Sequence, residues 1–168
     1  MDIYLVRHAI AGDRDPESWP DDGMRPLTPR GIKAFTRAAG GLQVLVPRID
    51  ILLSSPLVRA WHTAELLATH AHFPPPVRFS PLEPDHAPQD VIDGLAEHSA
   101  LKSIMLVGHE PALHVLASYL LTGDEGAASL TFRKGGVARL DIPSEPGPGT
   151  ATLRWLVTPR LLRLLASG

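Results

Sequence analysis

Cysteine is absent from all 168 residues, which removes disulfides, thiolate nucleophiles and cysteine-based zinc sites together and is compatible with a reducing cytoplasm. Neither sign of charge dominates. Sixteen basic against 18 acidic side chains leave a net charge of −2, so no global field draws the chain to nucleic acid or to an anionic membrane. No apolar run is long enough to span a bilayer, and the stretch Met1–Arg7 carries neither a basic leader nor a long apolar core. A cytoplasmic location is the default expectation. Eight histidines invite a metal site, yet no tight ligand spacing such as His-Glu-x-x-His is present, and His109 and His114 are separated by a proline. Catalysis without metal or cofactor is expected. Internal repeats and low-complexity tracts are also missing.

With 44% hydrophobic residues in 168, the chain can bury one core, and its length argues for a single domain over 1–168; a monomer is the default expectation. Strand and helix patterns alternate, which predicts an α/β fold: a three-layer α/β/α arrangement around a mainly parallel sheet, with one antiparallel edge strand. Asp2–Val6, Ile51–Leu53 and Ser103–Val107 read as short buried strands. Thr28-Pro29 starts a helix with a capping hydroxyl and a first-turn proline, running towards Val46-Pro47 with a weak point at Gly40-Gly41. Further helices are expected over 57–69, 88–98 and 111–121. Beyond Gly123 the segments 129–132, 137–142 and 151–157 look extended. A last short helix over 159–165 is expected to pack into the core through Leu161, Leu162, Leu164 and Leu165. The long charged loop from Ala11 to Arg25 is either a solvated connector or a lid, in which case Trp19 would wall the substrate.

Two apolar runs end abruptly in polar residues, Leu5-Val6-Arg7-His8-Ala9 and Val107-Gly108-His109-Glu110, and a third leads into Ser54-Ser55-Pro56-Leu57-Val58-Arg59. In an open α/β sheet, ligands bind just beyond the carboxyl ends of such strands. This brings Arg7, His8, Arg59 and His109 to one edge. The planar forks of the two arginines can grip the oxygens of a phosphoryl dianion, and positioning with charge neutralisation is most of what phosphoryl transfer requires. A neutral imidazole can attack phosphorus while a second, protonated one steadies the equatorial oxygens. Since free histidine titrates near ~6.5, modest tuning would hold the two in opposite protonation states.

The Leu5–Ala9 run resembles the Arg-His signature of the histidine phosphatase superfamily, the phosphoglycerate mutase-like fold. Arg25-Pro26-Leu27-Thr28-Pro29-Arg30-Gly31, Ser54–Ala60 with Thr63, Val107–Pro111, Lys134–Ala138 and Trp155–Pro159 are similar, in order, to its small SixA-type phosphohistidine phosphatases. The resemblance implies that His8 is the phosphorylated nucleophile and that Arg7, Arg59 and His109 form the phosphate pocket. Arg25 would reach the pocket rim or hold the loop before the first helix, and Lys134 matches a position near the site.

Relatives that act on phosphomonoesters use a carboxylic acid to protonate a poor alkoxide leaving group, help of about 10²–10⁴-fold. Here Pro81-Leu82-Glu83-Pro84-Asp85-His86 follows the SixA-like pattern instead, although Glu83, Asp85 and His86 are each able to supply a proton. A protonated imidazole leaves easily. The expected activity is therefore dephosphorylation of phosphohistidine in proteins. The alternatives are a phosphomonoesterase or mutase on small phosphorylated metabolites with Glu83 or Asp85 as acid, and a non-catalytic phosphoprotein-binding module.

Overall fold

In the computed structural model, residues 1–143 and 145–166 are described. The strands are β1 (Asp2–Arg7), β2 (Ile51–Ser54), β3 (Val77–Arg78), β4 (Ser103–Gly108), β5 (Val137–Asp141) and β6 (Thr152–Val157). They form one sheet in the order β3-β2-β4-β1-β5-β6. β1, β2, β3 and β4 run parallel, and only β5 is reversed against both neighbours. The sheet is thus mainly parallel. At one edge β6 pairs antiparallel with β5, as expected, and β5 is also antiparallel to β1.

The strands are short apolar runs whose alternate residues serve opposite faces. Tyr4, Val6, Met105 and Val107 pack under α1 (Pro29–Leu45), α2 (Val58–His70) and α5 (Pro159–Leu165). Ile3, Leu5, Ile104 and Leu106 pack under α3 (Pro88–Leu95) and α4 (Ala112–Thr122). Two separate cores on the two faces of one sheet make the three layers.

Several expectations are corrected. The α1 helix runs unbroken through Gly40-Gly41 because α5 crosses there: a Cβ on Gly41 would stand 1.8 Å from the Leu162 carbonyl oxygen. Of the α5 leucines only Leu162 is buried, while Leu161, Leu164 and Leu165 face solvent, since one side of a seven-residue helix suffices to cover α1. The third helix ends at Leu95 and continues as a 3₁₀ turn over Ala96–His98. Residues 129–132 form no strand, and the two-residue β3 was not foreseen.

Candidate active site

The carboxyl ends of β1, β2 and β4 lie side by side, with Arg7 level with Gly108 and Ser54 level with Val107. Ladder-like bonds carry the alignment past the strands. His8 N–H donates to Gly108 O at 3.0 Å and Ser55 N–H to Val107 O at 3.0 Å. Thr63 ties α2 to the same edge, accepting from Ala9 N–H at 3.0 Å and donating to Arg59 O at 2.6 Å. Arg7, His8, Arg59 and His109 therefore all line one cleft of about 490 Å³.

Within that cleft the two histidines stand with ring centres 5.3 Å apart. His8 Nδ1 donates to the Ala9 carbonyl at 2.7 Å, which places the proton on Nδ1 and leaves the Nε2 lone pair as the nucleophile. His109 Nε2 meets Ser55 Oγ at 2.9 Å, and Ser55 Oγ also accepts from Leu57 N–H at 3.4 Å. The hydroxyl proton is then free to point at Nε2, which fixes neutral His109 as an Nδ1–H donor. That Nδ1 is buried with no partner in the protein, as are Arg7 Nε and Arg59 Nε. Buried polar groups are nearly always satisfied, so three unmatched donors around one cleft fit an anion with several oxygens.

Other donors of the arginines are tied to the protein. Arg7 Nη1 donates to Phe132 O at 2.7 Å, and Phe132 N–H donates to Glu110 Oε1 at 3.2 Å. Phe132 thus serves the site, not the sheet. Arg59 Nη1 donates to Asp22 O at 2.7 Å and its Nη2 pairs with the Asp22 carboxylate at 3.1 Å. Arg25 grips the same carboxylate through Nε at 2.8 Å and the Gly12 carbonyl through Nη1 at 2.8 Å. It both reaches the rim and holds the loop. Bonding from Arg25, then the nearby Arg59 charge, keeps Asp22 ionised below the usual carboxylate range.

Burial drives both histidines down, His8 to about 3 and His109 to about 3, with the neighbouring arginine charges adding to the effect. Burial thus favours the neutral form of both imidazoles. His8 is ready to attack, and His109 donates through Nδ1 without needing a charge.

The cleft holds five cations, Arg7, Arg14, Arg25, Arg59 and Lys134, and three carboxylates, Asp22, Asp85 and Glu110. Lys134 reaches it because the turn before β5 folds back on β1: Gly135, at φ +78°, donates to the Arg7 and His8 carbonyls. Glu83 does not line the cleft; Asp85, two residues on, does. His86 faces away and pairs with Asp90 at 3.2 Å. Trp19 is likewise not part of the wall, and the loop contributes Arg14 and Asp22 instead. No sequence motif flagged Arg14 or Asp22, for which the alternation of acid and base across the 11–25 loop was the one available hint; Ser55 stood inside the Ser54–Ala60 motif without a role assigned to it. Among the described residues no group of three or more histidines and carboxylates is placed to hold a metal.

The family model of the histidine phosphatase superfamily (branch 1) matches residues 3–82. An uncharacterised protein of Picosynechococcus sp. is 35% identical over 142 residues, 83% of this chain and 84% of its own. The chain belongs to the histidine phosphatase superfamily. Its fold is shared with the protein histidine phosphatase SixA solved with tungstate, at TM-score 0.82 and 23% identity over 96% of this chain and 99% of that one. The α-ribazole phosphatase of Shigella flexneri shares it at TM-score 0.70 and 21% identity, over 95% of this chain and 97% of that one. Superfamily membership supports phosphatase activity, a hydrolase acting at phosphorus, and the fold neighbours span more than one substrate class.

Proposed function

We propose that this histidine phosphatase removes phosphate from phosphohistidine in proteins by way of a phospho-His8 intermediate. The observation that carries the reading is the cleft itself: an open His8 Nε2 among three buried, unmatched N–H donors. Nε2 attacks phosphorus, the P–N bond to the substrate imidazole breaks, and that imidazole departs neutral because its proton is already in place. Water then attacks phospho-His8, releasing inorganic phosphate and restoring the free imidazole. Arg7, Arg59 and His109 hold the equatorial oxygens through both steps.

Leaving-group chemistry favours the phosphoramidate. Asp22 is held ionised between arginines, and Glu110 is occupied by the Phe132 amide. Asp85 alone stands free at the rim, and it supports the second reading, a phosphomonoesterase with Asp85 as general acid.

The test is steady-state turnover, with a chelator present, of a phosphohistidine peptide and of simple phosphomonoesters. Preference for phosphohistidine, abolished in His8→Ala and insensitive to Asp85→Asn, is expected. Quenching the wild-type reaction in alkaline denaturant should trap an acid-labile, alkali-stable phosphohistidine on the enzyme. Efficient monoester hydrolysis lost in Asp85→Asn would establish the second reading instead.

A further inference from the structure

Beside the phosphate cleft lies a second, shallower space of about 320 Å³ that shares Pro84, Asp85 and Pro111 with it. Its floor is apolar, made by Ala87, Pro88, Ala112 and Val115, and it carries two carboxylates, Asp85 and Glu125, and one imidazole, His86, which is paired with Asp90, with no lysine or arginine. The charge contrast with the five cations next door is sharp. Its shape is also preset. Pro84 and Pro88 lock the backbone on one side and Pro111 on the other, while Asp90 holds the turn between by accepting from Ala87 N–H at 3.0 Å and pairing with His86. A partner laid there meets a surface that needs no ordering, which lowers the cost of binding.

We propose that this groove receives the polypeptide segment flanking the phosphorylated histidine and selects a Lys or Arg side chain opposite Asp85 and Glu125. The proposal rests on the phosphohistidine reading and extends it from the phosphoryl group to its carrier. Continuity with the cleft places the occupant: once a phosphoryl group sits against Arg7 and Arg59, the chain attached to it must leave through the open side, and the shared residues Pro84, Asp85 and Pro111 border that side. Charge decides its character. A basic side chain is repelled by the arginine-rich wall and attracted by the carboxylates of the groove, whereas an acidic one would be drawn back over the phosphate site and compete with it. A small metabolite would leave the apolar floor uncovered.

The experiment compares two phosphohistidine peptides, identical except for lysines or glutamates flanking the histidine, with free phosphohistidine as the reference. Wild-type protein should turn over the lysine peptide with at least about tenfold higher kcat/KM than the glutamate peptide, mostly through KM. Glu125→Lys, whose side chain lies outside the phosphate cleft, should erase or reverse that preference while leaving turnover of free phosphohistidine unchanged. Val115→Lys, a second probe on α4, should act in the same direction. Equal turnover of the two peptides by wild-type protein, with free phosphohistidine still hydrolysed, would overturn the groove and leave the phosphohistidine reading standing. Hydrolysis of monoesters alone would overturn both.

Discussion

Ser55 has no polar role that packing would require. It is wholly buried at the end of β2, where an alanine would fit as well, yet its hydroxyl meets His109 Nε2. If Nε2 carried the proton instead, a lone pair on Nδ1 would face the phosphate dianion. The hydroxyl prevents this by donating to Nε2, so Ser55 is a positioning residue for a phosphate donor. In Ser55→Ala the Nε2 is left buried without a partner, which should destabilise the fold by about 1–3 kcal/mol, and with the Nδ1–H tautomer no longer favoured kcat/KM should fall as well while the fold is kept. Ring ¹⁵N spectra provide the separate readout. His109 should be the Nδ1–H tautomer in the wild type and lose that preference in the variant; an unchanged tautomer would reduce Ser55 to packing. The four central side chains were legible in the sequence because Arg7, His8 and His109 stand at the ends of short apolar strands and Arg59 opens the helix that follows a third, where topology leaves little freedom. Ser55 was visible but mute, since its role depends on a contact 54 residues away. Asp85 and Glu83 could not be separated either, because the non-periodic stretch 83–87 carries no rule for which side chain turns inward.

At the level of elements, the adjacent glycines of α1 sit in opposite surroundings, and the sequence treats them alike. A Cβ on Gly40 would meet only the Ala166 methyl at 3.9 Å, whereas one on Gly41 would enter the Leu162 carbonyl. Gly40→Ala should therefore stabilise the protein by up to about 1 kcal/mol through helix propensity. Gly41→Ala should destabilise it by about 1–3 kcal/mol through overpacking at the α1–α5 crossing. Paired denaturant titrations check both signs; equal shifts would mean that α5 does not press on Gly41. The same crossing explains what was misjudged about α5. Leucines at 161, 162, 164 and 165 look like core in any periodicity count, but a two-turn helix laid across a glycine offers one narrow face, and only Leu162 occupies it. By contrast α1, α2 and α4 were legible because their apolar faces are long enough to average out such local geometry. β3 was not, being two residues that take their conformation from pairing with β2.

For the molecule as a whole, a site that keeps two neutral histidines buried must weaken in acid. Their folded values of about 3 lie below the ~6.5 of an unfolded chain. Above pH ~6.5 neither state binds the protons and stability is full. As pH falls below that, the unfolded state takes up a proton at each ring while the folded state refuses it, so unfolding becomes easier by about 1.4 kcal/mol per pH unit per histidine until the folded values are reached. Depressed carboxylates such as Asp22, Asp50 and Asp141 act in the same sense, but only from the unfolded carboxylate value of ~3.9 downward. The interval from pH 6.5 to about 4.5 thus isolates the histidines. Denaturant midpoints measured across it should fall steeply for wild-type protein and much less for a His8→Gln, His109→Gln double variant, which retains polar rings' volume without the titration. Inorganic phosphate should flatten the wild-type slope as well, because a bound anion offsets the arginine charges and lets the folded histidines take up protons. Parallel slopes in wild type and double variant would mean that these rings are not held neutral, and with that the picture of a cleft that stores an uncharged nucleophile beside uncompensated donors would fall.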